Sequence, residues 1–514
     1  DKGAHYKVAK YIELLAYLET RTFKFLARES LPADTNIMRL KQVLTEKYLH
    51  NEFTRCKWRV CAKGFTQLDG KDFDSLLCYA PTTDYDSIRL IVALCAKHGL
   101  RLESADFVSA YLQAMIDHDC YTEVLPGYVD YISDVSATDS ARIRKLKQAA
   151  LAEYQAALAA AGQDPSKVVT KVCRAVPGMR QSGHAFNQKL HKFLINEGWT
   201  RLNQDLAVYT RVRDGKPQII ACFVDDILLA GVGDSFRHFK NTLKEKFKIT
   251  FQKAVDQYCG IEIDHNVAEG TYEVHQRSYV KQLHEKFARY LPLRHTPAEI
   301  PFPARLVLQP ATDADHIALE SAQVPYSNLV MSLLYMSRVT RLDISFHATQ
   351  LCRFMQKPGM THWKYALQVF SYVLGSSDTG IVYSPHAKNN GLVAFVDSEF
   401  GTADPSTRRS FTGNVTFFAG APVAWSVKQL PKVGSSSSET EYMGLKFAAD
   451  RVKATRLKIL GMGFPEDVLG PTTVFCDNQL AIAIANVRCN TNRTKSIDNV
   501  WHCTRQYIEE GSIK

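Results

Sequence analysis

The chain has no cysteine pair in CxxC spacing: its twelve cysteines stand singly, as at Cys56, Cys61, Cys173, Cys259 and Cys476. That spacing argues against the usual zinc clusters. Most of these thiols sit inside apolar runs, so buried free cysteines in a reducing compartment are expected. No apolar run approaches the roughly 20 residues of a membrane span, and no signal peptide opens the sequence. The sequence begins at Asp1 rather than Met, which predicts a piece of something longer. Charge of one sign is only mildly in excess, at +10 with a pI near 8.9. That balance suits a polyanionic partner better than an acidic one, and a merely basic soluble protein fits it equally well. At 514 residues, with 46% hydrophobic and 23% charged residues, the chain reads as a globular protein too long for one core. Three or four domains are expected.

What the sequence does contain is organised around residues 219–231, IIACFVDDILLAG. Short apolar runs on both sides of a two-residue polar break predict a β-hairpin with Asp225 and Asp226 at its tip. Alone, an Asp-Asp pair is a surface turn. The apolar flanks instead predict a buried hairpin aimed at a cleft. Two carboxylates a few Å apart raise each other's pKa, and a divalent cation removes that penalty. Hard oxygen ligands on a rigid tip suit Mg²⁺, which keeps positions for water and substrate phosphate.

Upstream, the alternation in Arg55-Cys-Lys57-Trp-Arg59-Val-Cys-Ala-Lys63-Gly64 predicts a strand with one charged face. That face is either solvated or a grip on a triphosphate or nucleic-acid backbone. Residues 1–50 are helical in texture. Residues 84–100 predict an amphipathic helix ending at Gly99, followed by a strand in which Asp106 is the one acid of an apolar run. A buried lone Asp is expensive, and a metal shared with Asp225 and Asp226 would account for all three. Tyr111 would lie near the same cleft or serve in the core.

Residues 138–161 predict a strong helix capped by Thr138 to Ser140, with Ile143, Leu146, Ala150, Tyr154 and Leu158 on one face. Arg142, Arg144, Lys145 and Lys147 form a basic cluster at its start. A turn-rich loop at 176–183 leads into a helix over 184–197. Helices are expected over 235–250 and, in part, over 270–300. Segment 299–325, with Pro301, Pro303 and Pro310, is the linker candidate, and 326–375 reads as a helical block. Beyond residue 390, strands end in Asp397 and Asp477, and a helix follows Ser435 to Ser438. Ser438 with Glu441 reads as a capping box. Acids at neighbouring strand ends converge, however, and Asp397, Glu441, Asp477 and perhaps a fourth, Asp498, form the donor set of a two-metal nuclease site.

These motifs, in this order, make the chain resemble the polymerase end of a copia-type retrotransposon Pol polyprotein: a reverse transcriptase followed by a ribonuclease H. The resemblance runs from about residue 53 onward. It is carried by KWRVCAKGFTQ (57–67), SIRLIVALCA (87–96), DFVSAYL (106–112), PGMRQSG (177–183), FVDDILLAG (223–231), GIEI (260–263), LVMSLLYMSRVTRLDI (329–344) and HW (362–363). In the last part it is carried by FVDSEFG (395–401), SETEY (438–442), CDNQLAI (476–482) and RTKSIDNVWH (493–502).

The resemblance implies an α+β multidomain fold: a right-hand polymerase followed by a ribonuclease H-like domain. Fingers would lie in 1–105 and the palm in 106–270, with a helical insertion at about 132–168. A thumb or connection would occupy 271–388, and the nuclease 389–514. It implies that Asp106, Asp225 and Asp226 hold two Mg²⁺ ions, with Mn²⁺ as substitute. Arg59 and Lys63 would clamp the phosphates, Gln181 would line the nucleotide pocket, and Tyr111 would crowd the sugar 2′ position. Asp397, Glu441, Asp477 and Asp498 would hold the metals that cut RNA in a hybrid. RNA template, DNA primer, RNA–DNA hybrid and dNTPs are the implied partners, with a homodimer allowed and no membrane. A cytoplasmic virus-like particle, with nuclear entry allowed, is the implied location. The sequence departs from the family at the 138–161 helix, at Leu342 in place of Pro, and at Ser496 in place of His. The last leaves open a polymerase with an inactive nuclease, or a non-catalytic scaffold subunit. Integrase, protease and CCHC patterns are absent.

Overall fold

The computed structural model describes residues 2–49, 52–136, 139–252, 255–292, 296–303, 306–401, 407–486 and 499–514. The chain is a mixed α/β, multidomain protein. At its centre is a six-stranded antiparallel sheet in the order Ile249–Gln252, Arg101–Phe107, Asp226–Gly231, Lys216–Phe223, Val208–Arg213, Thr200–Arg201. Alternate residues of the central hairpin enter two different cores. Ile220, Cys222, Ile227 and Leu229 pack with Phe186, Leu190, Phe236 and Phe239 of helices Ser182–Asn196 and Asp234–Lys246. Ile219, Ala221, Leu228 and Ala230 share the other core with Ile88, Ile91 and Leu94 of helix Tyr85–His98. A sheet covered on both faces needs apolar residues at every position, which explains the unbroken run in the sequence.

Helix Tyr85–His98 ends as expected, with Gly99 at φ +63. It is not amphipathic, however: Ser87 through Ala96 are all buried. Its second side faces the C-terminal part of the chain. Arg89, 1% exposed, donates to Val423 O (2.9 Å), Arg338 O (2.9 Å) and Val339 O (2.7 Å), and lies 3.8 Å over the Trp425 ring. Lys458 Nζ adds bonds of 2.8 Å to both Asp84 and Ser87.

Only the start of residues 1–50 is helical, at Lys2–Thr20. Strands follow at Phe23–Ala27, Ile37–Met38 and Leu40–Leu49. The last pairs with Glu52–Ala62 in a long hairpin. Helix Ala141–Ala160 is capped by Ser140, which accepts from Ile143 N (3.3 Å), while Thr138 lies outside the described residues. Leu146, Ala150, Tyr154 and Leu158 pack on the core of this N-terminal body; Ile143 is only half-buried. Arg142, Arg144 and Lys145 are exposed, but Lys147 is not part of a solvated cluster. It is 2% exposed, pairs with Asp139 (2.8 Å), donates to Asp134 O (2.6 Å) and sits 4.4 Å over the Tyr131 ring.

The structure moves several expected boundaries. A break at 105/106 falls inside strand Arg101–Phe107, and one at 270/271 falls inside the Ile261–Asn266/Thr271–His275 hairpin. Residues 249–252 form a strand rather than the end of a helix. The 299–325 segment is not a free linker. Phe302 and Leu308 are buried against the helical block, and Asp313–Ser321 is a helix.

The C-terminal sheet runs Ala421–Gln429, Phe411–Phe418, Val393–Ser398, Thr473–Phe475, with the last pair parallel. Helix Ser437–Gly461 covers one face through Tyr442, Met443 and Leu445 against Val396. Among the described residues no helix is long and apolar enough to cross a membrane. The eleven described cysteines are free thiols.

Candidate active sites: two carboxylate clusters

The first cluster is built by register. Phe223 pairs with Asp226 across a tight turn whose residue Val224 has φ +57, a strained value for a β-branched side chain. Asp226 is the direct cross-strand partner of Asp106. Phe107 N–H donates to Asp225 O at 2.8 Å, which ties the turn to the neighbouring strand. Asp106 and the distant pair Asp225 and Asp226 are thus brought together at one end of two neighbouring interior strands. Burial, and then the charges of Asp225 and Asp106, push Asp226 up to about 6. Asp106 is raised by burial and by Asp225, and Lys57, Arg55 and Arg59 partly offset this. Tyr111 is half-buried beside the same acids: its phenol is raised by burial and then by Asp225.

The basic strand Glu52–Ala62 therefore reaches this cluster, as alternate residues Arg55, Lys57 and Arg59 on one face. Lys57 and Arg59 belong to the basic face expected from the sequence, and Arg55 extends it. Lys63 lies just past the strand end, half-buried, with its N–H on Arg39 O (2.9 Å). The structure places Gln181 in a buried side-chain network. It is 3% exposed, donates to Asp72 O (2.9 Å) and accepts from Gln67 Nε2 (3.0 Å). It braces the loop under the basic strand rather than lining an open pocket. Two glycines make that junction. Ala62 N–H donates to Pro177 O (2.8 Å), a Cβ on Gly178 would collide with Ala62 O, and one on Gly64 would collide with Gly178 O.

The second cluster stands at the ends of strands Val393–Ser398 and Thr473–Phe475. Phe395 and Phe475 are register partners, so Asp397 and Asp477, each two residues on, leave the sheet on the same side. Ser436, not Ser438, caps the following helix, and Glu439 folds back onto Ser435. Glu441 is thereby free of the capping role its spacing allowed. Its Oε1 accepts from Ser398 N (3.1 Å), and its Oε2 is buried with no hydrogen-bond partner. Burial, with Asp397 and Asp477, pushes Glu441 up to about 7. Glu441, Cys476 and Asp477 offer ligand atoms all within 4.8 Å of one another. Burial pushes the Cys476 thiol up. An orphaned carboxylate oxygen among hard oxygen donors fits Mg²⁺ or Mn²⁺. Asp498 and Ser496 lie outside the described residues.

Residues 23–160 and 159–291 match the family described as reverse transcriptase (RNA-dependent DNA polymerase), more than half of the chain. The chain belongs to this reverse transcriptase family. Within it the chain is of the copia type. It is 25% identical over 471 residues to the retrovirus-related Pol polyprotein from transposon TNT 1-94 of Nicotiana tabacum, covering 90% of this chain and 32% of that one. It is 23% identical over 488 residues to the corresponding polyprotein from transposon RE2 of Arabidopsis thaliana, covering 94% and 30%. The chain thus spans about a third of the length of these curated relatives. A foamy viral protease-reverse transcriptase, solved in complex with RNA/DNA hybrid, aligns over 96% of this chain and 51% of its own, with 12% identity and a TM-score of 0.39.

Proposed function

We propose that the chain is an RNA- and DNA-templated DNA polymerase with its own hybrid-specific ribonuclease, serving retrotransposon replication. The observation that carries the reading is the cross-strand pairing of Asp106 with Asp226 at a tip that also bears Asp225. The six-stranded sheet is the palm. The N-terminal helix, the long hairpin and the sheet of strands Phe23–Ala27, Val168–Arg174, Met115–Glu123 and Ile37–Met38 are the fingers, the helical block is the thumb or connection, and the C-terminal sheet is the ribonuclease H domain.

Asp106, Asp225 and Asp226 hold two Mg²⁺ ions, which supply activation of the primer 3′-hydroxyl and stabilisation of the leaving pyrophosphate. Arg59, with Lys57 and Arg55, neutralises the triphosphate from the fingers strand. Lys63, just past the strand end, is the weaker member of this clamp. Gln181 holds the loop that seats this strand. Tyr111 occupies the place of a 2′-hydroxyl and so favours dNTPs. Asp397, Glu441 and Asp477, with Asp498, are the donors for cutting the RNA strand. RNA template, DNA primer and RNA–DNA hybrid are the partners, and a cytoplasmic particle is the setting.

Primer extension on poly(rA)·oligo(dT) with Mg²⁺ tests the polymerase. Wild type extends, and Asp225→Asn loses extension while retaining hybrid binding. No extension by soluble wild-type protein would overturn the reading. Release of fragments from a labelled hybrid, lost in Glu441→Gln with extension intact, tests the nuclease.

A further inference from the structure

The face of the C-terminal sheet opposite helix Ser437–Gly461 carries a cavity of about 550 Å³. Its floor is Phe395, Val415, Trp425 and Phe475, Leu342 of the helical block forms a wall, and Asp397 and Asp477 stand at one end. The volume lies within the ~300–1,000 Å³ of pockets that hold organic ligands. Phe395 and Phe475 are 44% and 51% exposed and stack on each other at 5.0 Å and 18°. Neither ring belongs to a buried core cluster. Trp425 turns its one polar atom away, donating Nε1 to Ser337 O at 2.7 Å. Strand alternation puts these rings and the two acids on the same side.

We propose that this groove is the seat of the nucleotide next to the scissile phosphate, with Phe395 and Phe475 as specificity-determining residues that take its sugar and base face. The inference rests on the nuclease reading above and adds to it which side of the acids the strand occupies. The occupant follows from charge and shape together. The carboxylate end accepts an anion only through bound cations, so a phosphodiester belongs there, and the adjoining floor accepts a flat or apolar group. A nucleotide strand carries both at the required adjacency. The floor presents ring faces and methyl groups, and of the other lining side chains Ser345 donates its hydroxyl to Ser337 O and Asn414 its Nδ2 to Ser426 Oγ, so the grip is indifferent to sequence. Base–aromatic stacking has this tolerance.

Gly413 supplies a probe. It is the cross-strand partner of Asp397 and lies along the cavity, and a Cβ built there meets nothing within 4 Å. A leucine can therefore leave the backbone there without a clash at its Cβ, and its remaining atoms extend along the cavity.

The test uses the full chain and a fluorescent RNA–DNA hybrid. In Gly413→Leu, hybrid cleavage is expected to fall at least tenfold while primer extension is unchanged. Phe395→Ala and Phe475→Ala are expected to raise KM for cleavage roughly 5- to 100-fold with kcat little changed, and Phe395→Trp to restore it. A hybrid carrying 5-iodouracil, irradiated with Ca²⁺ in place of Mg²⁺ so that it binds without being cut, is expected to crosslink at Phe395 or Phe475. Wild-type KM in Gly413→Leu, or a thermal-midpoint loss with unchanged KM in both alanine variants, overturns the groove alone. Crosslinking at Phe475 by a wild-type chain that cuts nothing supports the groove and overturns the nuclease reading.

Discussion

Asp106 and Asp226 face each other directly across an antiparallel ladder. Like charges opposite one another destabilise a strand pair, by roughly 0.2–1 kcal/mol. Asp226→Asn is therefore expected to raise the thermal midpoint of the cation-free protein at neutral pH while abolishing extension. Differential scanning fluorimetry beside a primer-extension assay checks both. A lower midpoint would show that the Asp226 carboxylate stabilises the fold instead.

The same crowding sets a pH dependence. Asp226, pushed to about 6, and Glu441, pushed to about 7, bind protons in the folded state over a range where the unfolded chain has lost them. Their contribution to stability is present at acid pH and lost as pH rises through about 4 to 7. A divalent cation bound by these carboxylates would take the place of the lost protons. The midpoint gained on adding either cation should be small at pH 5 and larger at pH 8. Because Glu441 holds its proton to higher pH, cleavage at limiting Mg²⁺ should fail on acidification before extension does.

Gly178 has φ +92 and touches Ala62 across the junction between the loop and the basic strand. Gly178→Ala adds left-handed strain to a backbone collision, for a loss on the order of 2 kcal/mol or more. The displaced strand carries Arg59 and Lys57, so KM for the incoming nucleotide should rise as the midpoint falls. Steady-state kinetics on a defined template–primer separates the two effects.

Arg89 joins three bodies through buried bonds to Val423, Arg338 and Val339. Arg89→Met keeps bulk and removes the donors, leaving three buried carbonyls less satisfied, at about 1–3 kcal/mol each at most. The expected result is a single melting transition that splits or broadens, with early proteolytic cleavage on the C-terminal side.

Tyr111 should govern sugar choice. Tyr111→Val opens space beside Asp225, and ribonucleotide incorporation should rise by about 10-fold or more relative to deoxynucleotide. Competition between rCTP and dCTP on one primer measures it.

The hairpin of residues 219–231 was legible because a sheet buried on both faces leaves a local trace: an unbroken apolar run split by two acids. Asp397 and Asp477 were legible for a similar reason, each following a short apolar strand. Gln181, Lys147 and Phe302 were not. Gln181 is buried by Gln67 and Asp72, more than a hundred residues upstream, Lys147 by its pairing with Asp139 and Tyr131, and Phe302 by the later helical block. The partners of Gln181 and Phe302 are distant in sequence and leave no mark on local spacing, while Lys147 meets Asp139 from eight residues away across a turn that the helical periodicity does not register. The Tyr85–His98 helix was misread in the same way. Its charged residues suggested a wet face, and Arg89 and Asp84 instead meet the far end of the chain.

That guanidinium has a consequence for inheritance. Each of its three carbonyl acceptors is backbone, so the contact survives almost any side-chain change around it, yet it demands that three separately encoded segments keep one mutual fit. A hybrid gene that took its front half from one element and its rear half from a diverged relative would preserve every catalytic acid and still bring two surfaces together around an arginine with no matching seat.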